Sequence, residues 1–278
     1  MHELRQRYPF ASLLKLACLA RSTFYYQLGV QGVADKHQQL KATIKAVFER
    51  HQGRYGYRRV TAELCQLGER VNHKTVQRLM GMLNLKSLVR PKKYKSYKGG
   101  VGQMAPNELQ RQFDAKTANE KWVTDVTEFN VAGEKLFLSP VLDLYNGEII
   151  AFETSRRPTF ELVTSMLGKA FSRLGSADKP LLHSDQGWQY RMAAYRQALN
   201  ERGMRQSMSR KGNCHDNAAM ESFFAVLKSE CFYLNKFASV DALQAELTRY
   251  IHYYNHDRIK LKLGGLSPVQ FRTQHLAT

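Results

Sequence analysis

Hydrophobic residues recur at helical spacing through the first third of the chain. Residues 8–28 hold two apolar helical patches with a turn-like break near Arg21 and Ser22, which fits either a helix-turn-helix or a plain helical hairpin. Between Leu40 and Phe48, apolar residues recur at i, i+4, i+7 and i+8. That period predicts an amphipathic helix.

Two shorter helices are predicted to follow. One contains Val60 and Leu64 and ends at Gly68, and Asn72 is placed to cap the next one. The apolar and polar residues of this last helix fall on opposite faces: Val76, Leu79, Met80 and Leu83 against Lys74, Gln77 and Arg78. Three helices in this order are typical of a helix-turn-helix whose last helix enters the major groove of DNA. A helical bundle with a solvated basic face is the alternative.

From about residue 119 the pattern changes to alternating strands and helices. KWVTDVTEFNV alternates as one strand, and the next two strand-like runs flank Asn146-Gly147, a two-residue hairpin signal. The predicted order is then β-β-β-α-β-α-β-α-α. This order predicts an α/β fold with a ribonuclease-H-like mixed five-stranded sheet flanked by helices, preceded by an all-helical helix-turn-helix region.

Four segments follow from these patterns. Residues 1–37 form an N-terminal helical segment and residues 38–85 a helix-turn-helix DNA-binding domain. Residues 86–118 form a basic linker, because lysines, prolines and glycines replace any regular apolar period. Residues 119–278 are predicted to form the ribonuclease-H-like core with its C-terminal helix.

Positive charge is concentrated ahead of this core. The chain carries a formal net charge of +18, and residues 1–118 hold 22 of the 42 Lys and Arg residues but only 7 of the 24 acids. Such asymmetry favours a polyanion such as DNA as the partner. A membrane surface would also attract it, but no run of 18 apolar residues predicts a membrane span. We expect DNA contacts from Arg54, Tyr57, Arg58, Arg59, Lys74, Arg78, Lys92, Lys93 and Lys95.

The four cysteines contain no C-x-x-C pair. This spacing predicts neither a disulfide framework nor a zinc site, and it favours reduced cysteines in the cytosol.

Three acids carry the candidate chemistry. Asp125 lies within the first predicted strand, Asp185 follows the apolar strand PLLHS, and Glu221 lies in the helix NAAMESFFAVLKSECF. Singly, each has an ordinary interpretation: an edge-strand Asp, a turn residue and a solvated helix carboxylate. If they converge, their oxygens are suited to hard divalent cations. Lys228, seven residues after Glu221, shares its helix face and is predicted to hold phosphate.

Three other residues compete for a role at this site. Asp143 lies in a predicted strand and Glu128 close to Asp125, and His183 precedes Asp185. Asp143 could line the same region or be structural, and we rank it below the triad. We expect His183 either to orient a carboxylate or simply to pack.

At this point several spaced motifs are recognisable together. WVTDVTEF, HSDQGWQY, SRKGNCHDNAAMESFFAVLKSE and YIHYYNHDRIKLKLGGLSPVQF, with the upstream HQGRYGYRRVTAEL and VNHKTVQRLM, occur in one order. In these motifs the chain resembles bacterial transposases of the insertion-sequence-three family, which carry a retroviral-integrase-like core. The resemblance spans roughly residues 38–273.

The resemblance implies the chemistry of the site. Asp125, Asp185 and Glu221 become the DDE triad, holding two Mg²⁺ ions for which Mn²⁺ is a substitute, and Lys228 becomes the basic residue that follows the Glu. Asn255 and Arg258 match the family's C-terminal signature, and either packing against the core or contact with phosphate fits Arg258.

The resemblance also implies partners and a cellular location. The reaction is metal-dependent cleavage at 3′ ends and strand transfer, on double-stranded DNA at the element ends and the target. We expect a homo-oligomer on DNA, in the bacterial cytoplasm and associated with the nucleoid. The chain looks like the product of the element's second reading frame, because it lacks sustained heptads, and the first-frame protein or a fused form is the expected partner.

Two other functions stay open from the residues. One is a non-catalytic DNA-binding accessory or regulatory product of the element. The other is a ribonuclease-H-like nuclease that only hydrolyses, although such an enzyme needs no helical sequence reader ahead of its core.

Overall fold

The computed structural model describes residues 4–31, 35–89, 105–210 and 214–276. It divides into two compact units, Met1–Ala46 and Val47–Thr278. The predicted contacts of Lys92, Lys93 and Lys95 lie outside the described residues. Among the described residues, no helix combines the length and the apolar character that crossing a bilayer requires.

The first unit is helical. Helices α1 (Phe10–Leu16) and α2 (Arg21–Gln31) are separated by a turn at residues 17–20, so the break precedes Arg21 rather than falling at Arg21 and Ser22. Phe24 is buried, with its ring 4.8 Å from that of Phe10. Helix α3 (Gln38–Arg50) begins in this unit and crosses its boundary.

In the second unit, the end of α3 is followed by the predicted pair of short helices, α4 (Tyr57–Gln66) and α5 (His73–Met82). The Asn72 side chain accepts a hydrogen bond from the Lys74 N–H at 2.8 Å, which confirms the predicted cap. Val60 and Leu64 of α4 and Val76 and Leu79 of α5 are fully buried, while Lys74 and Arg78 are exposed. The amphipathic pattern thus correctly identified the faces of α5.

Six strands form one mixed sheet in the order β2-β3-β1-β5-β6, with β4 on β3. Their bounds are β1 Lys121–Thr124, β2 Thr127–Val131, β3 Glu134–Asp143, β4 Ile149–Ser155, β5 Leu181–Ser184 and β6 Arg205–Met208. The β1–β5 and β5–β6 pairs are parallel, and the β3 pairs are antiparallel. The predicted mixed sheet is confirmed.

The sixth strand arises because the first predicted strand is interrupted. β1 and β2 pair with β3 in one unbroken register, which sets Asp125 opposite Pro140. Proline has no N–H to donate, and the Pro140 carbonyl accepts from Thr124 Oγ1 at 2.9 Å. The ladder therefore opens at Asp125, which was wrongly predicted to lie within a continuous strand.

The helices cover both faces of the sheet. Trp122 and Val123 are adjacent in β1 and belong to different hydrophobic clusters, because successive strand residues face opposite ways. Helices α6 (Phe160–Phe171) and α7 (Ala193–Glu201) contribute to the Trp122 cluster. Helices α8 (Ala218–Leu227) and α9 (Val240–His256) contribute to the Val123 cluster.

Three details differ from the sequence-based predictions. β3 and β4 are joined through residues 144–148, a longer connection than the predicted two-residue turn. Helix α8 ends at Leu227 and continues as a π-helical turn, Lys228–Phe232. A tenth helix, α10 (Pro268–Leu276), follows α9.

Part of the predicted linker packs on the core. The carbonyl of Pro106 accepts the Met208 N–H, and Ser207 Oγ accepts the N–H groups of Glu108 and Leu109. Leu109 is fully buried. Residues 105–109 therefore cover the β6 edge of the sheet.

Candidate active site

Asp125 and Asp185 each follow the end of a strand, and the two strands are neighbours. β1 and β5 pair in parallel with Lys121 opposite Leu181 and Val123 opposite His183. Continuing that register sets Asp125 beside Asp185. The carboxyl ends of adjacent parallel strands are a usual place for functional groups in open α/β sheets.

The two carboxylates are electrostatically coupled. Burial raises the pKa of Asp125 well above its ordinary value, and the negative charge of Asp185 raises it further. Burial also raises the pKa of Asp185, opposed by a hydrogen bond from the Gly187 N–H and by the charge of Arg191. Two acids that disfavour each other's ionisation form a site that a cation would stabilise.

Helix α8 brings the third carboxylate. Glu221 lies in its first turn, where the helix dipole favours negative charge, and its charge also raises the pKa of Asp125. Lys228 lies at the other end of α8, with Nζ 5.3 Å from the Phe129 ring centroid. Burial lowers the pKa of Lys228, and the charges of Glu128 and Asp125 oppose that effect.

Asn217 is a site residue that the sequence did not identify. It occupies the N-cap position of α8 but makes no capping hydrogen bond with its side chain. Its Nδ2 instead donates to Oδ2 of Asp125 at 3.4 Å, and its buried Oδ1 has no hydrogen-bond partner within the described part of the chain. Asparagine is a common residue at helix N-caps, and no local pattern in the sequence indicates the contact of Asn217 with Asp125.

The loop after Asp185 is tightly packed. Oδ1 of Asp185 accepts the Gly187 N–H at 2.8 Å, and Tyr190 is fully buried. Trp188 between them is 47% exposed. The loop thus combines a fixed carboxylate with an accessible aromatic ring.

The donor set fits a hard divalent cation. Three carboxylates and the unpaired Asn217 Oδ1 are oxygen ligands of the kind Mg²⁺ prefers. Within residues 4–31, 35–89, 105–210 and 214–276, however, no three acidic, His or Cys side chains are already assembled at metal-binding distances.

The competing acids have other partners. Asp143 is fully buried and accepts from Asn119 and Arg272, at 2.9 and 2.6 Å. Glu128 is exposed and pairs with Lys135 at 3.1 Å. Asp143 is therefore held within the fold, and Glu128 reaches the site only through its charge.

His183 packs between two serines. Its ring nitrogens lie 2.8 Å from Ser207 Oγ and 3.0 Å from Ser209 Oγ. Burial lowers the pKa of His183 to about 4, so the ring is neutral at physiological pH. Of the two predicted roles, the described contacts support packing.

The predicted DNA-contact residues separate into two groups. Arg58, Lys74 and Arg78 are exposed, and Tyr57 and Arg59 are partly exposed. Arg54 and Arg258 are each only 4% exposed and are bonded to Glu230. Contact with DNA is not supported for these two residues, because their guanidinium groups are enclosed by protein partners.

Known proteins share both halves of this architecture. A family model for an HTH-like domain matches residues 35–93, and models for the integrase core domain match residues 115–214 and 221–276. The chain is 54% identical to InsK of insertion sequence element IS150 from Escherichia coli (strain K12), over 99% of this chain and 97% of that protein.

Two further relatives extend this similarity. A transposase-like protein of Haemophilus influenzae is 56% identical, over 74% of this chain and 95% of its own length. The transposase InsF for insertion sequence IS3A of Escherichia coli (strain K12) is 33% identical, over 97% of this chain and 96% of its own length.

Proposed function

The chain belongs to the insertion-sequence-three family of transposases, with an HTH-like domain and an integrase core, and on this premise we propose that it cleaves DNA at 3′ ends and transfers the strand in a metal-dependent reaction. Family membership makes DNA transposition its function. The single observation that carries the proposed chemistry is the adjacency of Asp125 and Asp185 at the ends of two parallel strands, with the charge of Glu221 acting on Asp125.

The proposed ligands are the acidic triad, with Asp125 between the other two carboxylates. Two bound Mg²⁺ ions would stabilise the attacking and the leaving oxygen during an in-line displacement, and Mn²⁺ would substitute for Mg²⁺. Glu221 helps to orient the nucleophile, and Lys228 holds the phosphate backbone. Asn217 orients Asp125 through its amide.

The bond changes balance without a covalent enzyme intermediate. Water attacks the phosphorus at an element end, one P–O bond forms, and the 3′ oxygen leaves and takes a proton. The freed 3′-OH then attacks a second phosphodiester in the same way. A single set of carboxylates therefore serves both steps.

The proposed partners are the double-stranded DNA of the element ends and the target. Arg58, Lys74 and Arg78 are exposed on the HTH-like segment and would meet its phosphates. Joining two ends requires more than one subunit on DNA, and the first-frame protein or a fused form completes the proposed assembly. The setting is the bacterial cytoplasm, on the nucleoid.

A non-catalytic DNA-binding accessory role is the second candidate, and one experiment separates it. Labelled element-end DNA is incubated with Mg²⁺ and wild type, Asp185→Asn or the exposed-site control Glu201→Gln. The proposal expects nicking at the 3′ end by wild type and control, a loss on the order of 10³-fold in Asp185→Asn, and equal DNA binding by all three. Equal nicking by Asp185→Asn overturns the proposed site. DNA binding with no nicking by any of them supports the accessory role.

A further inference from the structure

A fourth buried carboxylate lies on the helical segment that carries Glu221. Glu230 is in the π-helical turn Lys228–Phe232, which continues α8, and it is 2% exposed. An isolated carboxylate at such a position would be strongly destabilising. Its partners therefore explain why it is retained there.

Four residues bind Glu230, and together they form the Glu230 cluster. Arg258 donates to both carboxylate oxygens at 2.7 Å, in a two-pronged arrangement. The Tyr250 hydroxyl donates at 2.9 Å and Arg59 at 3.2 Å. Arg54 Nε donates to the backbone carbonyl of Glu230 at 3.0 Å.

These partners keep Glu230 ionised. Burial alone would raise its pKa, but hydrogen bonding and charge from Arg258, with the charge of Arg59 and the hydrogen bond from Tyr250, lower the pKa overall. Charge-assisted bonds of this kind are short and directional.

The cluster joins three parts of the chain at one point. Arg54 and Arg59 come from the HTH-like segment, while Tyr250 lies in α9 and Arg258 shortly after it. Glu230 comes from the segment that carries Glu221 and Lys228. The HTH-like segment therefore bonds directly to the end of the helix whose start lies at the acidic triad.

The apolar contacts of α8 do not fix its position as sharply. Its buried residues Met220, Phe223 and Leu227 pack in the same cluster as Val123 and Phe129. Such contacts oppose lifting of the helix, but the hydrophobic effect is non-directional and tolerates small slides and rotations. The hydrogen bonds to Glu230 fix the orientation of this helical segment as well as its distance from its partners.

Lys228 and Glu230 lie in the same π turn but contact different parts of the protein. The Tyr233 N–H donates to the Lys228 carbonyl at 2.8 Å, five residues back, so the turn is wider than that of an α-helix. Lys228 lies beside the Phe129 ring, and Glu230 lies among the arginines. The wide turn thus carries one residue of the cluster and one residue near the acidic triad.

We propose that Glu230 is a positioning residue, which ties α8 to Arg258 and Arg59 and so sets how Glu221 and Lys228 meet Asp125 and Asp185. The consequence is that the HTH-like segment tunes the affinity of the acidic triad for its cation. This inference rests on the proposed metal-dependent function.

The mildest test removes one partner from the HTH-like segment. Arg59→Ala takes away one bond and leaves Arg258 on Glu230, so the fold is retained. Arg58→Ala is the matched control, because Arg58 is an exposed neighbour of Arg59 with the same charge. Its guanidinium group lies over the Tyr57 ring and is not bonded to Glu230. Arg59→Lys keeps a cation near Glu230.

Two readouts separate positioning from DNA contact. Mg²⁺ is titrated without DNA while tryptophan fluorescence is followed, because Trp188 is exposed three residues after Asp185. Binding of element-end DNA is then measured without Mg²⁺. We expect both alanine variants to lose DNA affinity, but only Arg59→Ala to need roughly fivefold more Mg²⁺ for half of the fluorescence change. Arg59→Lys restores most of that affinity.

The outcomes are distinct. If wild type responds to Mg²⁺ and both Arg58→Ala and Arg59→Ala need the same Mg²⁺ concentration for half of the fluorescence change, the positioning role is overturned. The proposed function is not affected by that result. A wild type with no Mg²⁺ response and no cleavage overturns the proposed function and this inference with it. Glu230→Gln should raise the Mg²⁺ concentration for half of the fluorescence change more than Arg59→Ala does. If the melting curve of Glu230→Gln shows that this variant is unfolded, the comparison of the Arg59 variants decides the test.

Discussion

Gly187 donates its N–H to Oδ1 of Asp185 at 2.8 Å, and a Cβ atom on Gly187 would lie 2.9 Å from that same oxygen. The backbone of Gly187 has an ordinary negative φ of −54°, so a side chain is excluded by space and not by conformation. The nearest atoms of Tyr190 and Gln189 would be at 3.2 and 3.3 Å. A side chain at position 187 would therefore force the Asp185 carboxylate to shift.

Gly187→Ala should accordingly displace the Asp185 carboxylate. We expect the strand-transfer rate to fall about tenfold or more, since a misplacement of about 1 Å can cost on the order of 10²-fold in rate. The rate is measured on element-end DNA at saturating Mg²⁺. Gly168→Ala in α6 is the control, because a Cβ there meets nothing within 4 Å. Equal rates for both variants would contradict the close fit at Asp185.

Asp125→Asn should stabilise the protein in the absence of a divalent cation. The folded-state pKa of Asp125 is raised by burial and by Asp185, so its ionisation costs stability as pH rises above the ordinary value near 4. The variant should melt a few degrees higher than wild type at pH 7. A change of about 1 kcal/mol in the free energy of unfolding shifts the melting temperature of a protein of this size by about 2–4 °C.

The pH and cation dependence check that assignment. Below the ordinary carboxyl pKa, near pH 4, the two melting curves should converge, because both side chains are then neutral. Mg²⁺ should raise the melting temperature of wild type more than that of the variant. A variant that melts lower than wild type at pH 7 without Mg²⁺ would argue against carboxylate repulsion.

Asn217→Ala removes the amide that faces Asp125. Groups that orient a metal ligand typically contribute 10–100-fold to affinity or activity, so we expect about tenfold slower cleavage and a higher Mg²⁺ requirement. Initial cleavage rates across a Mg²⁺ series provide the measurement. Asn200→Ala, at an exposed position of α7, is the control. A variant that matches this control would leave Asn217 without a role at the site.

Asp216→Asn tests what holds the start of α8. Asp216 is fully buried and accepts from Arg210, Arg111 and Asn107 at 2.9–3.1 Å. Hydrogen bonding to Arg210 is the main cause that lowers the pKa of Asp216, although burial opposes it. The lowered pKa stabilises the fold above the ordinary value near 4, and that contribution is lost as pH falls through the folded pKa.

The variant should therefore melt several degrees lower at pH 7, by roughly 4 °C or more. The gap should be constant above about pH 4 and narrow below it. Thermal melting across pH 2–8 checks this. A gap that widens with acid would mean that Asp216 is not held ionised by its arginines.

Sequence periodicity predicted most of the fold because burial follows it closely. The faces of α5, the mixed sheet and the strand-end position of Asp185 are all encoded in local spacing. The interruption at Asp125 was missed, because its cause is Pro140 in another strand. Pairing across strands is not visible in a local window.

The sequence also did not predict the partners of two arginines. Arg54 was expected to contact DNA as part of the basic region ahead of the core, and for Arg258 both packing and contact with phosphate were left open. Their partner Glu230 is distant in sequence from Arg54, and no local pattern links them. Asn217 was missed for a related reason, since its cap preference is local and its contact with Asp125 is not.

The central claim is that Asp125, Asp185 and Glu221 act together in strand transfer, and one assay tests it most directly. Labelled element-end DNA with a 3′-OH is mixed with target DNA and Mg²⁺, and with either wild type or Glu221→Gln. We predict joined products from wild type only, with equal binding of the end DNA by both proteins. Joined products from Glu221→Gln at the wild-type rate would contradict the account.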